Sequence, residues 1–169
     1  MKNNGYLIAH PEEIRIRANI VWSKPYSYDV LLSGHADEDC DANFYAIVGY
    51  VDNNWWSFYI GMVVDQCVSD RHKNADHRDR LRELKANNRD VTFNLSLGVV
   101  HPKAGTNITN ALIENIEGLL IYANWHEDLV NKKKIVDFTS GNTFQIINKG
   151  FIDHLEVEEI VYGVVYKNT

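Results

Sequence analysis

The stretch from Arg71 to Arg89 concentrates charge: Arg71, Lys73, Arg78, Arg80, Arg82, Lys85 and Arg89 stand against only Asp76, Asp79 and Glu83. That is a local +4 in a chain of net −6, so one element can meet a polyanion that the molecule as a whole would repel. A solvated helix face of mixed charge is the ordinary alternative. His72 and His77 lie in the same stretch. Five positions apart on one helix they stand about 140° apart around the axis, unlike the i, i+4 spacing of helical zinc ligands, and are not read as a metal pair. Asp37-Glu38-Asp39-Cys40-Asp41 spaces its acids like a calcium loop, but Ala42 holds the loop's glycine position and Val48 its twelfth, so calcium binding is rejected. Cys40 and Cys67 make no Cys-x-x-Cys motif, which argues against a disulfide framework and a structural zinc site and leaves the expectation of two free thiols.

These residues must be carried by a small set of elements. Ile14, Ile16, Ala18, Ile20 and Trp22 alternate with Arg15, Arg17, Asn19 and Val21, the period of a half-buried strand, which stops at Lys24-Pro25. Tyr26 to Leu32 is read as a segment that can pair back onto it. Two apolar, aromatic runs, Phe44 to Val51 and Trp55 to Val64, are joined by Asp52-Asn53-Asn54 and predict a hairpin. Ser69-Asp70 then offers a helix N-cap, and the charged stretch that follows is expected to be one surface helix ending near Asn87-Asn88. Val91 to Val100 alternates as a third strand, broken at His101-Pro102. Between Ile108 and Ala123, Leu112, Ile113, Ile116, Leu119, Leu120 and Ala123 recur at helical spacing. With Leu112 at zero, that apolar stripe spans roughly −20° to 100°, Glu117 falls near 140° and Glu114 near 200°. Glu117 therefore borders the buried face, where neighbours fix a carboxylate while a cation can still approach, and Glu114 points to solvent. Beyond Lys132-Lys133-Lys134 short strands or loops are expected, Ile160 to Tyr166 being the clearest strand.

The order strand, strand, helix, strand, helix, together with Tyr59-Ile60-Gly61, resembles the GIY-YIG nuclease family. Tyr59-Ile60-Gly61 matches the second signature triplet, Arg71 matches the family's helix arginine, Glu117-Gly118-Leu119-Leu120-Ile121 resembles its glutamate-helix segment, and Asn131 looks like its closing asparagine. The matching stretch, Asn43 to Asn131, is 89 residues of the 169. Where the family has Gly-Ile-Tyr, this chain reads Asn43-Phe44-Tyr45 or Val48-Gly49-Tyr50, so the first tyrosine is Tyr45 or Tyr50. Tyr45 is preferred because the turn at Asp52-Asn53-Asn54 leaves Tyr50 near the hairpin tip. The position of the family's histidine or tyrosine falls on Ala75, so His72 or His77 would have to substitute.

The resemblance implies an α+β fold: a small mixed or antiparallel sheet flanked by helices, one domain over 1–169, with a catalytic core at 43–131. Strand-containing extensions at 1–42 and 132–169 would decorate that core. It also implies a DNA endonuclease, of the restriction or mobile-element kind, that hydrolyses phosphodiester bonds. Glu117 would hold Mg²⁺ or Mn²⁺, Arg71 would bond the scissile phosphate, Tyr45 would act as general base and Tyr59 would position the water or the phosphate, with His77 assisting. A tyrosine base would need its pKa lowered from about 10 by the cation and the arginine. Lys73, Arg78, Arg82, Lys85 and Asn131 would contact the DNA, and RNA stays open as a substrate. A palindromic target would imply a two-fold homodimer, though no self-complementary patch can be read. Taken singly, the tyrosines are ordinary packed strand residues, and Arg71 and Glu117 ordinary surface charges. A non-catalytic nucleic-acid- or protein-binding module on the same fold is the alternative, and an unrelated α+β protein with a pocket lined by Trp55, Trp56 and tyrosines is a third reading.

Composition agrees with a folded chain: 45% apolar and 11% aromatic residues with only 3 Pro exclude collagen-like and low-complexity classes. With no apolar run near the roughly 18 residues of a membrane span and no apolar leader after Met1-Lys2-Asn3-Asn4-Gly5, a cytoplasmic protein with no membrane association is expected.

Overall fold

The computed structural model describes residues 14–103, 105–133 and 143–161, the last three as backbone only. The elements, in chain order, are β1 (Ile16–Trp22), β2 (Tyr26–Ser27), α1 (Tyr28–Leu32), β3 (Phe44–Val51), β4 (Asn54–Met62), α2 (Val68–His72), α3 (Ala75–Asn87), β5 (Phe93–Pro102), α4 (Asn110–Ala123), β6 (Phe144–Gly150) and β7 (Glu158–Val161). The strands form one mixed sheet in the order β4-β3-β5-β1-β6-β7, with β2 also paired to β5; β1 and β6 run parallel and the other pairs antiparallel. The α+β class is as expected, and strands from both flanking segments extend the same sheet.

The hairpin forms where Asp52 and Asn53 take φ of 50° and 64°, the left-handed conformation that a two-residue turn between right-twisted strands requires. Val51 pairs with Asn54, so Asn54 belongs to β4 rather than to the turn. Alternation along β3 sends Phe44, Ala46 and Val48 to one face, where they meet Leu112, Ile113, Ile116, Leu119 and Leu120 of α4. Tyr45 and Ile47 go to the other, among Leu31, Val63, Val68 and Leu95 or against Phe58 and Leu84. The sheet is thus covered on both faces, and β4 forms one of its edges.

Four expectations need correction. Tyr26 to Leu32 is not a strand paired to β1: Tyr26 and Ser27 pair with Leu95 and Asn94, and Ser27 then caps α1 by accepting from the Val30 N–H. The single basic helix is two helices. Lys73 ends α2 and Asn74, in extended conformation, starts α3. His101 and Pro102 continue β5, Pro102 lying opposite Ala18 at the end of its ladder. Cys40 and Cys67 are not free thiols but a disulfide, which ties the segment before β3 to the N-cap of α2. Asp39 reinforces that junction, its carboxylate accepting from the Ser69 N–H at 2.7 Å and its carbonyl from the Val68 N–H at 3.1 Å. Of the expected late strand, 160 and 161 lie in β7 and 162–166 fall outside the described residues. No helix among the described residues is long and apolar enough to cross a membrane.

Candidate functional site

A cleft of about 700 Å³ opens along the edge strand β4 between α3 and α4. Tyr59 forms part of its wall, Asp76, Asp79, Arg80 and Glu83 line it from α3, Glu114 and Glu117 from α4, and Asn131, Lys132 and Lys133 from the segment after it. Tyr59, Glu117 and Asn131, three residues expected from sequence, therefore meet at one place. Glu114, expected to face solvent, lines the same cleft, because residues three apart on a helix share a side.

Asn131 is at this site for a structural reason. Its side-chain amide takes the place of a neighbouring strand: Oδ1 accepts from the Ile60 N–H at 2.9 Å and Nδ2 donates to the Ile60 carbonyl at 2.7 Å. The Val130 N–H donates to the Phe58 carbonyl in the same way, so the open edge of β4 is closed beside Tyr59.

Behind the cleft lies a buried cluster of hydrogen-bonding side chains. Tyr45 is fully buried and does not line the cleft; its ring stands 6.0 Å from that of Tyr59 and 4.7 Å from that of His72. Gly61 lies directly opposite Tyr45 in the ladder, and a Cβ there would fall 2.5 Å from the phenol end of the ring. The glycine of Tyr59-Ile60-Gly61 thus leaves room for the first tyrosine. Tyr50 instead packs on Trp55 near the hairpin tip, 52% exposed.

His77 links this cluster to the cleft. The Arg80 guanidinium donates to its Nδ1 at 3.1 Å, so that nitrogen is an acceptor and the proton sits on Nε2, facing Asp76 at 3.6 Å. The Tyr45 hydroxyl, 3.4 Å from the same Nδ1, is then a donor. Burial raises the Tyr45 pKa well above its ordinary 10, with Arg71 pulling the other way. The lowered pKa expected of a tyrosine base is therefore not what this burial produces. Burial pushes His77 down to about 4 and His72 down to about 3, with Arg71 and Arg80 adding to both effects. Arg71 Nε, His72 Nε2 and the Tyr28 hydroxyl are buried and have no hydrogen-bond partner among the described residues.

His72 and His77, expected about 140° apart around one helix, have ring centroids 5.1 Å apart, because the break at Asn74 restarts the helical phase. Arg80 escaped the sequence reading although it is central: its guanidinium lies 4.1 Å from the centre of the Tyr59 ring. Its only sequence signal is the three-residue step from His77. The other expected DNA contacts do not line the cleft. Lys73 pairs with Asp70 and Arg82 with Asp79, each at 2.9 Å on the surface, Arg78 is exposed, and Lys85 lies 6.0 Å from the Tyr28 ring.

Compared with protein-family models, with curated proteins and with solved structures, the chain shows no match to any.

Proposed function

We propose that this protein is a divalent-metal-dependent endonuclease that hydrolyses DNA phosphodiester bonds in the cleft along β4. The observation that carries the reading is the convergence of Glu114 and Glu117 of α4 with Tyr59 and Arg80 in one cleft, which Lys132 and Lys133 also line. A phosphate supplies acceptors to the Arg80 guanidinium and the two lysines, and carboxylate oxygens on one helix suit a hard cation such as Mg²⁺ or Mn²⁺. Glu117, with Glu114 beside it, would hold the ion, which would neutralise charge developing on the phosphoryl oxygens. Arg80 bonds the phosphate from the α3 side, and Tyr59, braced by that guanidinium, orients the attacking water. Tyr45, held neutral by its burial, positions Arg71 and His77 rather than acting as the base. Lys132 and Lys133 flank the phosphate's approach, and Arg78, Arg82 and Lys85 contact the flanking strand.

The alternative, a non-catalytic nucleic-acid- or protein-binding module, draws on the complete burial of Tyr45. Single-turnover cleavage of end-labelled duplex at saturating protein separates the two. Arg80→Ala and Tyr59→Phe are expected to slow cleavage by about 10² to 10³ with duplex affinity nearly kept, as loss of a transition-state contact does. Duplex binding with no cleavage by the parent protein selects the binding module. A cytoplasmic setting would keep Cys40 and Cys67 reduced, so their disulfide favours a non-reducing compartment.

A further inference from the structure

A second concavity, about 300 Å³, lies where the start of β4, the C-terminal end of α4 and the segment after β6 meet. Trp55, Trp56, Trp125 and His126 give it aromatic walls, and Asp153 and Glu156 are, among the described residues, its only charged lining residues apart from histidine. Trp56 and Trp125 remain 41% and 38% exposed, large apolar surface for a folded chain to leave in water. The pocket is built rather than incidental. His126 Nε2 donates to the Ser57 carbonyl at 2.8 Å, holding its ring 5.2 Å from that of Trp56, and the Asn124 side chain accepts from the Glu156 N–H at 2.7 Å.

Three features favour positive charge. The faces of indole rings attract cations, two carboxylates line the pocket with no lysine or arginine among its described lining residues, and α4 directs its C-terminal end here with no basic residue in its last turn. His154, 7% exposed, lines the same pocket with both ring nitrogens buried and, among the described residues, unbonded. We infer that this pocket binds a small organic cation, with a quaternary ammonium head against the tryptophans and its charge facing Asp153 and Glu156. A polyanion is disfavoured by those carboxylates, so this site is separate in chemistry from the cleft along β4 and does not depend on the nuclease reading.

The test titrates the full chain with choline, with trimethyl-lysine amide and with 3,3-dimethyl-1-butanol, the uncharged carbon analogue of choline, and follows the tryptophan indole N–H signals by NMR. Saturable shifts with either ammonium compound, the neutral analogue at least about tenfold weaker, are expected; the tighter of the two distinguishes a free from a peptide-borne head group. Glu156→Gln, an exposed position that leaves the walls intact, should weaken binding severalfold, and Trp56→Ala should abolish it. No saturation with either ammonium compound, equal binding of the neutral analogue, or preferential binding of thymidine monophosphate or glucose overturns the inference.

Discussion

Tyr45 and Gly61 are most informative as a pair, since the ring of one occupies the space a side chain on the other would need. Gly61→Ala should cost about 1–3 kcal/mol by overpacking, and in a double-mutant cycle the penalty should shrink when Tyr45→Leu has already removed the ring, measured by urea unfolding. Additive costs would mean that the two do not share this space. Tyr59 and Asn131 were legible from sequence because an intact tripeptide marks the edge strand and a spaced asparagine, in the segment after α4, bonds that strand at Ile60. Glu117 was legible from the resemblance of its helix segment together with helical phase. Arg80 was not, because its role depends on how α3 is seated over β4, and that seating depends on Asn74 restarting the helix. Tyr45 was legible as a position but not in its protonation: a strand pattern does not say how deeply a helix pair will bury the phenol.

At the scale of elements, the hairpin and α4 follow from local rules, a two-residue turn of Asp52-Asn53 and an apolar stripe at helical spacing. α2 and α3 were merged because both are polar and the junction at Lys73-Asn74 carries neither Gly nor Pro. The disulfide was missed because 27 residues separate its cysteines, and only the fold brings α2 beside the segment that precedes β3. Closing a loop of that length stabilises a chain by about 3–4 kcal/mol in the chain-entropy description, so reduction should lower the Tm by about 6–16 °C for a domain of this size. A Cys40→Ser, Cys67→Ser variant should melt at the same temperature with and without dithiothreitol. Asn131→Ala removes both side-chain bonds to Ile60 and is expected to cost about 2–3 kcal/mol in urea unfolding. A change below about 0.5 kcal/mol would show that this edge of β4 needs no such clamp.

For the molecule as a whole, the distribution of charge matters more than its sum. The helix stretch read from sequence as a +4 element divides by face, and α3 turns Asp76, Asp79 and Glu83 with only Arg80 toward the cleft. A bare phosphate is poorly received there, and divalent cation should raise DNA affinity rather than merely screen it. Protonation couples to folding through three buried histidines, His72 and His154 pushed down to about 3 and His77 to about 4, burial being the leading cause in each. Between the ordinary 6.5 and those values the unfolded chain binds more protons than the folded one. Stability is therefore fully present above about pH 6.5 and is lost as pH falls toward 4, by up to about 1.4 kcal/mol per pH unit for each histidine. Urea midpoints should drop clearly from pH 7 to pH 5, and His72→Gln should flatten the decline; a flat profile for the parent would contradict the burial of these rings as neutral groups.

The central claim is that Glu117 holds the metal for phosphodiester cleavage, and supercoiled plasmid incubated with the full chain in Mg²⁺, in Mn²⁺ and in EDTA tests it most directly. Nicked and linear products are predicted with either metal and not in EDTA, and Glu117→Gln, folded by circular dichroism, is predicted to lose cleavage by at least about 10². Plasmid left intact by the parent protein in both metals, or cut equally by Glu117→Gln, would contradict the account.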